Sequence, residues 1–156
     1  MIAVSKLYDE GKHDEVKVHL SYALKYFLML SIPFVFGSLF MSESIIMLLT
    51  TNEIAEGSSH VTFIISLAHL ILGIYSVFTY VLLVTKKTKI LTYTWLIPLP
   101  LNLILNYFLI PYIGIMGAAY TTLLAYLLAM FYVIYFSNKE FKFSIDWNFI
   151  LKSIYL

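Results

Sequence analysis

Four long apolar stretches dominate the chain: residues 26–49, 60–84, 90–110 and 113–136, separated only by short polar connections. Each is long enough to cross a hydrocarbon core of roughly 30 Å as a helix. Water is absent at that depth, so a spanning segment must satisfy its own backbone polar groups. These runs are continuously apolar rather than alternating, and that predicts helices. Composition agrees: 61% hydrophobic residues, 12% charged residues and a mean hydropathy of +0.87 lie outside the soluble range. The expected fold class is an all-α polytopic membrane protein, with residues 1–156 forming one membrane domain.

All ten basic residues are lysines. Lys6, Lys12, Lys17 and Lys25 precede the first span, Lys86, Lys87 and Lys89 join the second to the third, and Lys139, Lys142 and Lys152 follow the fourth. In a four-helix zigzag they all fall on one side. By the positive-inside rule both termini are expected on the cytoplasmic side of a plasma membrane. The first residues lack the basic and short apolar regions of a secretory signal, so none is expected.

A net charge of +1 and the lack of a long basic run set nucleic acid aside as a partner. The chain has no cysteine for disulfides or thiolate metal sites. No metal-ligand spacing, cofactor fingerprint or catalytic constellation occurs, so neither metal, cofactor nor enzymatic activity is expected.

Along the chain, residues 1–25 read as a charged loop leading into a helix. Val16, Leu20, Leu24 and Phe27 are spaced four, four and three apart, which suits a helix lying at the interface and running into the membrane. Pro33 is expected to kink the first span. Ser42 and Glu43 could cap a restarted turn near its far end. In the second span Thr62, Ser66, His69, Gly73, Ser76 and Tyr80 form one stripe, expected to face protein rather than lipid. The third span carries Pro98 and Pro100 at mid-depth and should be bent or broken. Thr92, Trp95, Asn102 and Asn106 share a side of it. Residues 111–114 are expected to turn the chain. Gly114, Gly117, Ala118 and Thr122 then open the fourth span with a small-residue face suited to close helix packing. Residues 137–156 read as a cytoplasmic tail or the start of a further helix.

His69 and Glu43 are the ionisable residues well inside the spans, and such residues are functional candidates by default. His69 could contact a substrate or relay a proton; it could equally be a neutral side chain bonded to a neighbouring helix. Asn102 and Asn106, one turn apart, could present amides to a substrate or act as interhelical glue. Lys25 immediately precedes the first span.

The run from Asn102 to Thr122, N-x-x-x-N-x-x-L-I-P-x-x-G-x-x-G-A-A-x-x-T, resembles a hallmark of the multidrug/oligosaccharidyl-lipid/polysaccharide flippase superfamily, in particular its polysaccharide exporters. VSKLYDEGKHDEV is similar to that family's cytoplasmic loop. Ser31-Ile32-Pro33 with Phe36-Gly37, and Glu43-Ser44-Ile45-Ile46 with Leu48-Leu49, are similar to its next motifs, in the same order. The resemblance implies four helices from one lobe of a twelve- to fourteen-helix flippase. It implies alternating-access transport of a lipid-linked oligosaccharide, with membrane lipids and the other half of the transporter as partners. On that basis His69, Asn102, Asn106 and Lys25 are expected along the substrate pathway. Two departures stand out: Thr50-Thr51 replaces the usual glycine, and no arginine is present to hold a lipid pyrophosphate. The alternatives are a multidrug cation exporter of the same superfamily and a non-transporting membrane scaffold of a glycan-synthesis complex.

Overall fold

A computed structural model describes residues 2–49, 55 and 58–140. These form six helices: α1 (Ile2–Asp9), α2 (His13–Leu49), α3 (Ser58–Val84), α4 (Thr88–Leu96), α5 (Pro98–Ile113) and α6 (Ile115–Glu140). No strand occurs among the described residues. With α4 and α5 taken as one interrupted rod, four helical segments are long and apolar enough to cross a membrane. The polar connection around Glu53 and the expected tail from residue 141 lie outside the described residues.

The first span differs from its sequence outline. One helix, α2, runs without a break from His13 through the charged segment to Leu49; its 37 residues extend about 55 Å, well beyond a bilayer core. Nothing in the sequence stops it: residues 13–32 contain neither glycine nor proline, and Asp14 and Glu15 occupy the first turn, where negative charge is favoured. The expected interfacial stripe instead packs inward, with Val16, Leu20 and Leu24 buried against the end of α3. Helical backbone also continues through Pro33 and through Ser42 and Glu43, so the latter two do not cap a new helix.

The helices stand in a row. α2 packs on α3, α3 on α6, and α6 on α5, while α4 fills the angle between α3 and α6. α2 and α5 occupy opposite ends and do not pack together. Their outward faces are correspondingly bare: Phe40 on α2 is 79% exposed and Tyr112 on α5 is 87% exposed. α1 folds back on α2 and α3 after a turn in which Gly11 takes a positive φ of 75°.

The core lies toward the lysine-bearing end. Val16, Leu20, Leu24, Tyr75, Phe78, Val81, Leu82, Ala129 and Val133 form one buried cluster, with α1 residues Val4, Leu7 and Tyr8 against it. Lys87 and Glu140 pair at the same end, tying the turn before α4 to the end of α6.

The rod formed by α4 and α5 breaks at Ile97, for a local reason. Pro98 and Pro100 have no N–H, so the carbonyls of Thr94 and Leu96 lose their helical donors. Pro98 becomes the first residue of α5, a position where its fixed φ is favourable. At the other end α5 continues through Pro111 to Ile113, and the turn reduces to Gly114 alone. Gly114 has φ 58° and ψ −140°, a conformation essentially closed to side chains. Its N–H donates to the Ile110 carbonyl at 2.8 Å.

Candidate functional site

The polar stripe of α3 is open at His69 and Ser76 but not along its whole length. The buried side carries Ile64, Ala68, Ile71, Tyr75, Phe78 and Leu82, whereas His69 and Ser76 are exposed. Of the rest, Gly73 lies under the Phe27 ring of α2 and Tyr80 packs against the core, so it is the part bearing His69 and Ser76 that opens onto a face of the row. Between α2 and α3 that face sinks into a groove of about 290 Å³, lined by Phe27, Ser31, Phe34, Val35, Ile65, Ser66, His69 and Leu70.

Gly73 sets how closely α2 approaches. A Cβ built there would lie 1.9 Å from Phe27 Cζ, so the phenyl ring rests directly on the α3 backbone. Phe27 thereby forms one end of the groove.

His69 sits at its edge. Its Nδ1 lies 2.8 Å from the Ile65 carbonyl. A carbonyl only accepts, so Nδ1 carries the hydrogen and Nε2 presents its lone pair. The imidazole also meets the Tyr126 ring edge-on at 6.3 Å, Tyr126 meets Trp95 at 5.8 Å, and Trp95 meets Tyr75 at 5.3 Å. Four rings from α3, α6 and α4 are thus in succession.

That succession ends in a buried hydrogen-bond chain. Trp95 Nε1 donates to the Tyr75 hydroxyl at 2.8 Å, and Tyr75 lies 2.9 Å from Thr94 Oγ1. Thr94 gives its own hydrogen to the Leu91 carbonyl at 2.7 Å, so the Tyr75 hydroxyl is the donor toward Thr94. Thr94 is fully buried, and the polar side-chain groups of Tyr75, Thr94 and Trp95 all have partners. The cluster fixes α4 to α3 just before the break at Ile97. Sequence reasoning had singled out Trp95 but not Tyr75 or Thr94. The signal was faint, since Tyr75 stands in register with the apolar side of α3.

The asparagines lie elsewhere, between α5 and α6. Asn106 Nδ2 donates to Asn102 Oδ1 at 3.0 Å, and Thr121 Oγ1 donates to Asn106 Oδ1 at 2.6 Å. Of the two amides, Asn106 therefore bridges helices. Gly117 is buried beside this bond, and a Cβ there would lie 3.1 Å from the Leu109 carbonyl. Ala118 and Thr122 are half-buried, and Thr122 donates to the Ala118 carbonyl on its own helix at 2.8 Å. Gly114 is exposed with nothing within 4 Å of a built Cβ; it turns the chain rather than packing a helix.

Lys25 is half-buried on α2 with Nζ 5.5 Å from the centre of the Tyr22 ring, and it does not line the groove. Glu43, half-buried, is on the far part of α2 and does not line it either. Among the described residues no three His, Asp or Glu side chains gather as a metal site.

A family model, MatE, matches residues 1–108, which covers α1 to α4 and most of α5. The chain belongs to the MatE family. MatE proteins are membrane transporters of the multidrug/oligosaccharidyl-lipid/polysaccharide superfamily rather than enzymes. No curated protein and no solved structure matches the chain significantly. The MatE match includes the groove residues and the Tyr75–Thr94–Trp95 cluster and ends before Thr121 and Tyr126.

Proposed function

We propose that these helices form part of a flippase that carries a lipid-linked oligosaccharide, a polyprenyl-pyrophosphate sugar, from the cytoplasmic to the outer leaflet by alternating access. The observation that carries this reading is the chemistry of the open face. His69 is exposed there with the half-buried rings of Tyr126 and Trp95 behind it, and the groove beside it is lined mostly by apolar side chains, with Ser31 and Ser66 among them. Ring faces and neutral donors suit a sugar head group. A cationic drug would need a carboxylate to hold it, and none lines the groove.

The row of helices supports the partner expected for such a transporter. A row cannot enclose a route, so the second wall comes from further helices, and the bare faces of α2 and α5 are where lipid or those helices would lie. The lysine distribution supports a plasma-membrane orientation with both ends of the segment cytoplasmic. Because the chain lacks cysteine, Lys86→Cys would give a single labelling site there. It should react with an impermeant maleimide only after the membrane is opened.

Transport itself is tested with the full-length protein in proteoliposomes. Undecaprenyl-pyrophosphate oligosaccharide should become accessible to an added glycosidase on the opposite side, while ethidium is not moved. Ethidium export without movement of the lipid would replace the flippase with a drug exporter. Movement of neither would leave the scaffold reading.

A further inference from the structure

We propose that the corner where the α3–α4 turn meets the end of α6 holds the head group of an anionic phospholipid, whose acyl chains lie along an apolar stripe of α6. The inference goes beyond the transport reading and needs only the membrane setting.

Charge at the lysine-bearing end is unevenly matched. On α1, the turn after it and the start of α2, Lys6, Lys12 and Lys17 stand among Asp9, Glu10, Asp14 and Glu15, and each of these lysines pairs with Glu10 or Asp14. That side carries no positive excess. At the corner, Lys86, Lys87, Lys89 and Lys139 share one described acid, Glu140, and Lys87 takes it. The Lys87–Glu140 pair ties the α3–α4 turn to the end of α6, so Lys86, Lys89 and Lys139 flank it. All three are exposed, and none is paired with a carboxylate among the described residues. Ammonium groups around an already neutralised pair attract an anion from outside the chain.

The surface beside the corner says which anion. Tyr120, Leu124, Leu128, Phe131 and Tyr135 are exposed on α6 at spacings of four, four, three and four, and Lys139 continues the series four residues on. An apolar stripe about 22 Å long thus ends in an ammonium group. Lys139 Nζ lies 4.3 Å from the centre of the Tyr135 ring, so the lysine rests against the end of the stripe. The 26 residues of α6 extend about 39 Å, which carries its last turns past the hydrocarbon core to head-group level. The stripe also looks away from the polar face of the row. Tyr126, which meets His69 there, is two residues from both Leu124 and Leu128, roughly 160° around the helix from each. A soluble phosphate would use the lysines and leave the stripe bare. A diacyl phosphate uses both, its charge at the corner and its chains along α6.

The test is native mass spectrometry of the full-length protein, released from neutral detergent micelles after titration with dioleoylphosphatidylglycerol or dioleoylphosphatidylcholine, which share acyl chains and differ in net charge. A lysine near an anionic surface contributes on the order of fivefold in binding, so the wild type should prefer phosphatidylglycerol by about fivefold or more. Changing the corner by Lys86→Gln, Lys89→Gln and Lys139→Gln together should bring the two lipids to within about twofold of each other. Lys87 stays in place because it pairs with Glu140. A control with Lys6→Gln, Lys12→Gln and Lys17→Gln removes the same charge from the matched side and should keep the preference. Monodisperse elution of both variants checks their folding. Equal affinities in the wild type overturn the inference, as does a preference that survives the corner variant. Equal loss in the control overturns it too, because the attraction would then belong to the charge of the whole end. Excess inorganic phosphate should leave the lipid bound; displacement would put a soluble anion at the corner instead. A dimer in the same spectra without lipid adducts would put a second copy on the stripe. None of these results bears on the transport reading.

Discussion

Asn106 on α5 and Thr121 on α6 are joined by a hydrogen bond of 2.6 Å between the two helices. The bond sits beside Gly117, where the α6 backbone nearly touches that of α5. Interhelical bonds of this kind contribute about 1 kcal/mol in membranes. A double-mutant cycle of Asn106→Leu and Thr121→Val, followed by unfolding in mixed detergent, should return a coupling near that size. Additive losses would mean that the two side chains stabilise the helices independently.

Tyr75 is the central link of the chain from Trp95 to Thr94. Tyr75→Phe keeps the ring and removes the oxygen, leaving the indole N–H without its acceptor. The cost should be about 1–3 kcal/mol, the range for a buried polar group left unsatisfied. In a Trp147→Phe background, Trp95 is the remaining indole, so a shift in its emission maximum reports the change at the site itself.

The Phe27 ring lies where a side chain at residue 73 would go. Gly73→Ala should destabilise the protein and displace α2. Adding Phe27→Ala should restore much of the loss, because the ring that clashed is gone. A thermal melt of the two single variants and the double variant checks this, and equal losses with and without Phe27 would contradict it.

Gly114 makes the whole turn between α5 and α6 in a backbone region that side chains avoid. Gly114→Ala should cost about 1–3 kcal/mol, although no atom lies near the added methyl group. Gly37 also has open space around a built Cβ but lies within α2. Gly37→Ala should therefore be neutral or stabilising in the same melt.

Asp14 lies outside the membrane span and donates nothing when ionised; it accepts a hydrogen bond from Lys17 at 2.8 Å. That bond, and then the charge of Lys17, hold its carboxyl below the ordinary value of 3.8. The folded form is depressed, so the small stabilisation exists above the ordinary value and is lost as pH falls through the folded one. Both groups are exposed enough for solvent to screen most of it. Carboxyl NMR should place the Asp14 titration lower than in Lys17→Met, while the melting temperature changes little.

The spans were legible because length and apolarity are properties of single segments, and the break at Ile97 because two nearby prolines remove two donors wherever the helix sits. The direction of the α3 stripe was not legible. Spacing says that Ser66, His69 and Ser76 share a face; only the placement of α2 and α6 says that this face is open. Tyr75 escaped notice because it stands among Ala68, Ile71 and Phe78, and its hydroxyl acquires a role only when Thr94 and Trp95 arrive from another helix. The helical start of α2 was legible in the spacing of Val16, Leu20 and Leu24, but its direction was not: these residues form one buried side against α3 rather than lying at the interface.

Burial is uneven along the helices. At the lysine-bearing end, large side chains interlock and the Lys87–Glu140 pair closes over them. Toward the other end, the buried positions of α6 are held by Gly117, Ala119, Thr121 and Ala125. Small residues there let the helix backbones approach closely, as at Gly117 against Leu109. The two ends are therefore held by different means: interlocking large side chains near the lysines, and close backbone approach with the Asn106–Thr121 bond at the other.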